Sequence, residues 1–511
     1  MAEPRTAMAP PRRNKRRKDE AVICRLIGAC CDTKFVEHMF LMALALDFAM
    51  GGFRLFHSGP ISFVTRICTL SAVMATVMAV FFALSAPPAN AQGLIRDTEI
   101  ENTIRVYTAP IFKAAGLDPS VVRIHLVNDP SLNAFVANGQ RIYIHTGLLM
   151  RAEDPGEVIG VLAHETGHIT GGHLARFGEG LADAQNANLI ALLLGIPAAV
   201  LTGRGDVAAA ALSLGNQIGT RKFLSYTRAN EQAADQAAVG FLDQAGISSQ
   251  GMLEFMELLT QEEKLYVENP NPYTRTHPLS RERVDFIRNH LENSKFKNSK
   301  LDPSYKILHE RMRAKLRGFI LPPHQTYQLY PESDQSVPAR YARAIALMQE
   351  SQTPEALDAV NGLIADYPDD PFFIELKGDI LRDGARLEEA IEPYRKAIEI
   401  LPWSALIRAS LARTLVELNN PDYDDEAEKQ LREALRYEPW MSSAWRLLAT
   451  VYGRRGDFGE AALAQAEEAI NQGRKDAALG HAKRALDQLP NGTPGWLRAQ
   501  DIEVQASRKT D

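Results

Sequence analysis

His164, Glu165 and His168 stand in the run His164-Glu165-Thr166-Gly167-His168, an H-E-x-x-H spacing. On a helix, a separation of four turns a side chain by roughly 40° and raises it by about 6 Å. Both imidazoles then face one side and can share a tetrahedral metal ion. Glu165, beside the first imidazole, reaches a water that the metal acidifies, takes its proton and passes it to a leaving amine. A chance H-E-x-x-H is expected in roughly two chains in a hundred of this composition. The flanking Val158, Ile159, Val161 and Leu162 supply the apolar face of a core helix. The competing reading is a surface helix carrying two solvated histidines.

A third ligand separates the classes of such sites. A metzincin needs a histidine ten residues after the first, where this chain has Leu174. His173 stands one position early and on a continuing helix would point elsewhere. A gluzincin takes a glutamate from a downstream helix instead. The segment Asn230-Glu231-Gln232-Ala233-Ala234-Asp235 offers Glu231 as ligand and, one turn later, Asp235 to hydrogen-bond the free nitrogen of a ligand imidazole. Alone, these would read as two solvated acids. Beside H-E-x-x-H they complete a site for one zinc ion per chain, although two imidazoles and a carboxylate also suit other divalent ions.

These residues need elements to position them. Helices are predicted over 95–116, 157–176, 227–245 and 281–290, and strands over 121–127 and 141–145, the latter after the turn Asn138-Gly139. Strand 141–145 is expected beside the metal, where it could pair with an extended substrate. With 511 residues the chain exceeds one ordinary core. Its net charge of -6 excludes no partner outright but gives no reason to expect nucleic acid, despite the basic cluster Arg12–Lys18.

The N-terminal region reads as an export signal. Arg66 precedes the apolar run Ile67–Ala86, and Pro87-Pro88-Ala89-Asn90-Ala91 ends in an A-x-A site. Cleavage is expected after Ala91. The alternative is a retained anchor, since the run is about long enough to span a bilayer. Met50 would make a more typical start than Met1. All four cysteines precede Ala91, so a metal site in the mature chain must use His, Asp and Glu.

Pro322 to Val337 reads as a linker, and beyond it the pattern repeats. Ala356–Pro368, Ala390–Pro402, Ala427–Pro439 and Ala478–Pro490 are each twelve apart, and Pro368 to Pro402 is 34 residues, the tetratricopeptide period. The later proline spacings of 37 and 51 imply one longer loop and one irregular unit. About four repeats are expected, forming a helical surface that binds proteins. The predicted organisation is residues 1–91 as basic extension and signal peptide, 92–321 as a metallopeptidase domain, 322–337 as linker and 338–511 as repeats. The fold class is mainly α: a zincin-type α+β domain with a small sheet, then an α-helical solenoid.

His164–His168, the segment Tyr226–Asp235, Thr276-His277-Pro278, Asn133-Ala134-Phe135 and Thr146-Gly147-Leu148 together resemble the gluzincin family of HtpX-like and CAAX-prenyl endopeptidases over about residues 95–320. Adding the export signal and the repeats, the chain is similar to the BepA-like periplasmic branch, whose members act in outer-membrane protein quality control. Two departures stand in the glutamate segment. Thr227-Arg228 replaces the usual Ser-Arg, and Ala233-Ala234-Asp235 replaces E-A-D, which leaves Glu231 as the one plausible glutamate ligand.

The resemblance implies a site role for His277, either as a fourth ligand latching a resting enzyme or as a donor to the oxyanion; otherwise it is a loop histidine capping the next helix. Arg283, which follows, is expected to anchor that loop by ion pairing. In integral relatives the region of Leu189–Leu201 is membrane-embedded. Here its thirteen apolar residues are too few to span a bilayer and suggest peripheral membrane contact, a lid or a core helix. The expected function is zinc-dependent hydrolysis of misfolded or stalled envelope proteins in the periplasm, with clients or an outer-membrane assembly machine on the repeats. The competing reading is a chaperone-like repeat adaptor with latent proteolysis.

Overall fold

The structure is a computed structural model that describes residues 93–137, 139–173, 227–265, 273–274 and 277–508. The predicted export signal and the apolar segment 189–201 lie outside the described residues. Among those described, no helix is long and apolar enough to cross a membrane.

The chain begins with β1 (Leu94–Ile95) and α1 (Thr98–Ala114). Asp97 caps α1 by accepting from the Ile100 amide, and Glu99 and Glu101 in the first turn complement the helix dipole. Ile100, Ile104, Tyr107 and Ile111 form its buried stripe. Then come β2 (Arg123–Val127), β3 (Ala134–Ala137), β4 (Arg141–His145) and α2 (Thr146–Arg151). The sheet order is β1-β2-β4-β3. β2 and β4 run parallel, while β1 with β2 and β3 with β4 are antiparallel. In β4 the period-two alternation buries Ile142 and Ile144 and leaves Arg141 and Tyr143 half-exposed. Strand 141–145 therefore lies inside the sheet, with both edges paired. Among the described residues the unpaired edge on that side belongs to β3, which packs beside the H-E-x-x-H helix.

That helix, α3 (Pro155–Gly171), starts with a capping box. Asp154 accepts from the Gly156 amide while Glu157 accepts from the amide of Asp154. Pro155 takes the first helical position. The predicted continuation to 176 stops short, because Gly172 closes the helix in the left-handed conformation at φ 61°. Two neighbours flank α3: α4 (residues 227–245) and α5 (Gln250–Leu265). They come close because α3 has glycine at the contacts. A Cβ on Gly160 would stand 2.6 Å from Met252 Cα, and one on Gly167 2.6 Å from the Ala234 carbonyl oxygen. Sheet, α1, α3, α4 and α5 share one core.

After α6 (Arg281–Asn293), α7 (Pro303–Ile320) packs on α1 and α3 and also on the first repeat helix. Buried His309 fixes it within the peptidase part: Nε2 donates to the Ala152 carbonyl and Nδ1 accepts from the Tyr107 hydroxyl. A short helix, α8 (Pro323–Leu329), occupies the segment read as linker.

The repeats comprise α9 (Val337–Gln349), α10 (Thr353–Asp366), α11 (Pro371–Asp383), α12 (Leu387–Ile400), α13 (Ala405–Glu417), α14 (Asp424–Tyr437), α15 (Ser442–Arg455), α16 (Phe458–Asn471), α17 (Lys475–Gln488) and α18 (Pro494–Ser507). These make five helix pairs where four repeats were expected. The proline spacing of 37 reflects a 3₁₀ turn, Pro421–Tyr423, inserted before α14. The spacing of 51 is one and a half periods and conceals α16. That helix has its buried alanine at Ala461 but ends at Gly473 instead of a proline. Ala478 accordingly falls on the first helix of the last pair.

Within the first four pairs, the turn between helices needs one residue in the left-handed region, taken by Ser351, Ala385, Asn419 and Gly456 at φ between 52° and 82°. Alanine pays roughly 1 kcal/mol there that glycine does not. Ala385→Gly should therefore raise stability by about 0.5–1 kcal/mol in chemical denaturation.

Candidate metal centre

Four side chains converge from three parts of the peptidase domain. His164 and His168 come from α3 and Glu231 from α4, while His277 lies just before α6. Their ligand atoms lie within 4.8 Å of one another. The Nε2 atoms of His164 and His168 are 3.0 Å apart. Glu231 lies 3.3 Å from each of these nitrogens and 3.2 Å from His277 Nδ1. The helical spacing of four aims both imidazoles to one side, and the close contact at Gly167 brings α4 near enough for Glu231 to meet them.

The far nitrogen of His164 is held by Asp235, Nδ1 to Oδ1 at 2.9 Å. Arg283, from the first turn of α6, spans both acids. Its Nε and Nη2 donate to Asp235 at 2.6 and 2.9 Å, and Nη1 stands 3.0 Å from Glu231. Nη1 also donates to the Pro278 carbonyl at 2.9 Å, which anchors the loop carrying His277. Tyr273, four residues before His277, is buried and stacks on its ring at 4.6 Å between centroids. Its role was not legible in the sequence, because a tyrosine in a Pro/Asn-rich loop carries no signal of burial.

Charge is tightly matched. Burial opposes ionisation of Asp235, but Arg283 and His164 hold its carboxyl below the usual range. Glu231 is likewise held far below the ordinary carboxylate range, with burial outweighed by His277, His164 and His168. Burial disfavours a charged His164, yet Asp235 and Glu231 push it up to about 10. Burial lowers His168 to about 3. Glu165 is fully buried, neither oxygen finds a hydrogen-bond partner among the described residues, and burial raises its pKa. His277 Nε2 stands 3.5 Å from its Oε1.

This donor set fits a divalent cation. Two imidazole nitrogens 3.0 Å apart facing a depressed carboxylate call for a positive charge between them. Three nitrogens and an oxygen suit zinc. His173, set aside in the sequence, is also brought in, with Nδ1 3.0 Å from His168 Nδ1. The signal that could have found it is the pair Gly171-Gly172, which breaks the helix before it.

Residues 96–291 match the model of peptidase family M48, and residues 341–404 and 410–472 match the tetratricopeptide repeat. The chain thus carries a peptidase family M48 domain followed by tetratricopeptide repeats, and it is a metallopeptidase. It is 25% identical over 381 residues to the putative beta-barrel assembly-enhancing protease of Vibrio cholerae, covering 73% of this chain and 77% of that one. It is 25% identical over 376 residues to the beta-barrel assembly-enhancing protease of Escherichia coli, with 72% and 75% covered. A shorter match of 26% over 192 residues, covering 38% and 53%, is to the mitochondrial metalloendopeptidase OMA1 of Schizosaccharomyces pombe.

Arg283→Ala would leave Glu231 and Asp235 buried beside each other without their shared cation. A loss of about 3–5 kcal/mol of stability is expected, read by urea denaturation.

Proposed function

We propose that this chain is an exported zinc endopeptidase. It binds one zinc ion through His164, His168 and Glu231, acts in the periplasm on misfolded or stalled envelope proteins, and serves outer-membrane protein quality control. The observation that carries the reading is the convergence of the two H-E-x-x-H imidazoles with Glu231 around one point, beside the buried carboxylate of Glu165, which has no hydrogen-bond partner among the described residues. The names of the bacterial relatives, beta-barrel assembly-enhancing proteases, support the placing in envelope assembly.

When bound, zinc supplies a Lewis acid that polarises the scissile carbonyl and makes water acidic enough to attack near neutral pH. Glu165 accepts the proton of the attacking water and delivers it to the leaving amine. Its burial keeps bulk water from competing for that proton. Asp235 holds His164 in the tautomer that turns Nε2 toward the centre, Arg283 keeps Asp235 ionised, and the facing imidazoles do the same for Glu231. The edge of β3, unpaired among the described residues, offers backbone groups to an extended polypeptide, which favours unfolded clients over a fixed sequence. The repeats recruit clients or an assembly machine.

His277 stands where a fourth ligand would stand, 3.3 Å from His164 Nε2. This favours a latched resting state and links the peptidase reading to the second one, a repeat adaptor whose proteolysis is latent.

One assay tests both. In casein hydrolysis by the zinc-loaded chain, Glu165→Gln should retain the metal and lose about 10²–10⁴-fold in rate, while His277→Ala should raise the rate. Full activity of Glu165→Gln would sink its role as base. Loss of activity in His277→Ala would replace the latch with an oxyanion donor.

A further inference from the structure

Each imidazole facing the centre has a second nitrogen that must be held. Asp235 holds that of His164. For His168 no acid corresponds to Asp235, and the structure supplies a different partner. Gly172 closes α3 in the left-handed conformation, and His173 follows it directly, its side chain against His168 in the last turn. Its ring meets that of His168 edge to face at 5.0 Å between centroids, with the two Nδ1 atoms 3.0 Å apart. Gly171 makes room for this ring: a Cβ there would stand 2.3 Å from His173 Nε2.

We propose that His173 is a positioning residue for His168, accepting the His168 Nδ1 proton and so fixing the tautomer and ring angle that present Nε2 to the metal. Two facing nitrogens at this distance share one proton. A His168 that ligates through Nε2 carries its proton on Nδ1, so His173 Nδ1 is the acceptor and its own proton sits on Nε2. Such partners of ligand histidines raise ligand basicity and limit ring rotation. The two ligand imidazoles are therefore held by unlike groups, an anionic carboxylate on His164 and an imidazole on His168. The inference rests on the reading of His168 as a metal ligand.

The test is zinc affinity of the apo-protein, titrated in competition with a chromophoric chelator. His173→Ala should bind zinc about 10–100-fold more weakly. His173→Asn should recover most of the loss, because asparagine Oδ1 takes the place of the imidazole Nδ1. Gly171→Ala should weaken zinc by displacing the His173 ring, while the thermal midpoint of its apo-protein holds or rises, since alanine is the better residue inside a helix. Cobalt(II) gives a second readout: its visible bands should change in His173→Ala and return toward wild type in His173→Asn. Zinc affinity of His173→Ala within twofold of wild type, or no recovery in His173→Asn, would overturn the inference. A wild-type chain that takes up no zinc overturns the ligand reading beneath it, and the wild-type titration tells the two failures apart.

Discussion

The centre depends on one arginine. Glu231 and Asp235 stand one turn apart on α4, both almost wholly buried, and two carboxylates cannot share a dry interior without a cation. Arg283 is that cation. Its planar fork reaches both acids and the carbonyl of Pro278 at once, which a lysine's single ammonium could not do. In consequence His164 is oriented through Asp235, Glu231 is held in place, and the His277 loop is tied to the same point. The remaining condition is distance. Glycine at 167 lets the backbones of α3 and α4 approach closely enough for these side chains to meet.

A second buried charge cluster joins the peptidase to its repeats. Lys315 of α7 is nearly inaccessible and pairs with Asp97 at 2.8 Å and Glu99 at 3.3 Å. Arg311, one turn earlier, bridges Glu99 and Asp370, and the Tyr341 hydroxyl donates to Glu99. The cluster thus links the start of α1, the last peptidase helix and the first two repeat pairs. Further along, Arg96 pairs with Glu438, and Arg123 at the start of β2 lies 3.9 Å over the Trp440 ring. Such contacts hold the repeats against the peptidase domain.

Much of this was written locally. The spacing of His164 and His168 implies a shared face on any helix, and the pattern of Ala and Pro at twelve residues implies paired helices. The pattern failed where a single residue type changed. Gly473 replaced the proline that would have marked α16, and a helix pair went uncounted. Strand 141–145 was legible as a strand but not as an inner one. Sheet order is set by which strands pair, and Asn133-Ala134-Phe135 reads as a motif rather than as the start of the strand that covers its edge.

The sequence by itself determined the chemistry on offer: two imidazoles and a glutamate on one helix, an acid pair on another, and a solenoid behind them. These follow from helical periodicity, which is a property of the chain over a few residues. Only the tertiary structure decided which groups meet. Arg283 reaches Asp235 across 48 residues and Lys315 reaches Asp97 from the far end of the domain. His173 meets His168 just past the left-handed glycine that ends the helix. Contacts of this kind depend on how packed helices place side chains in space, and no local spacing encodes that placement.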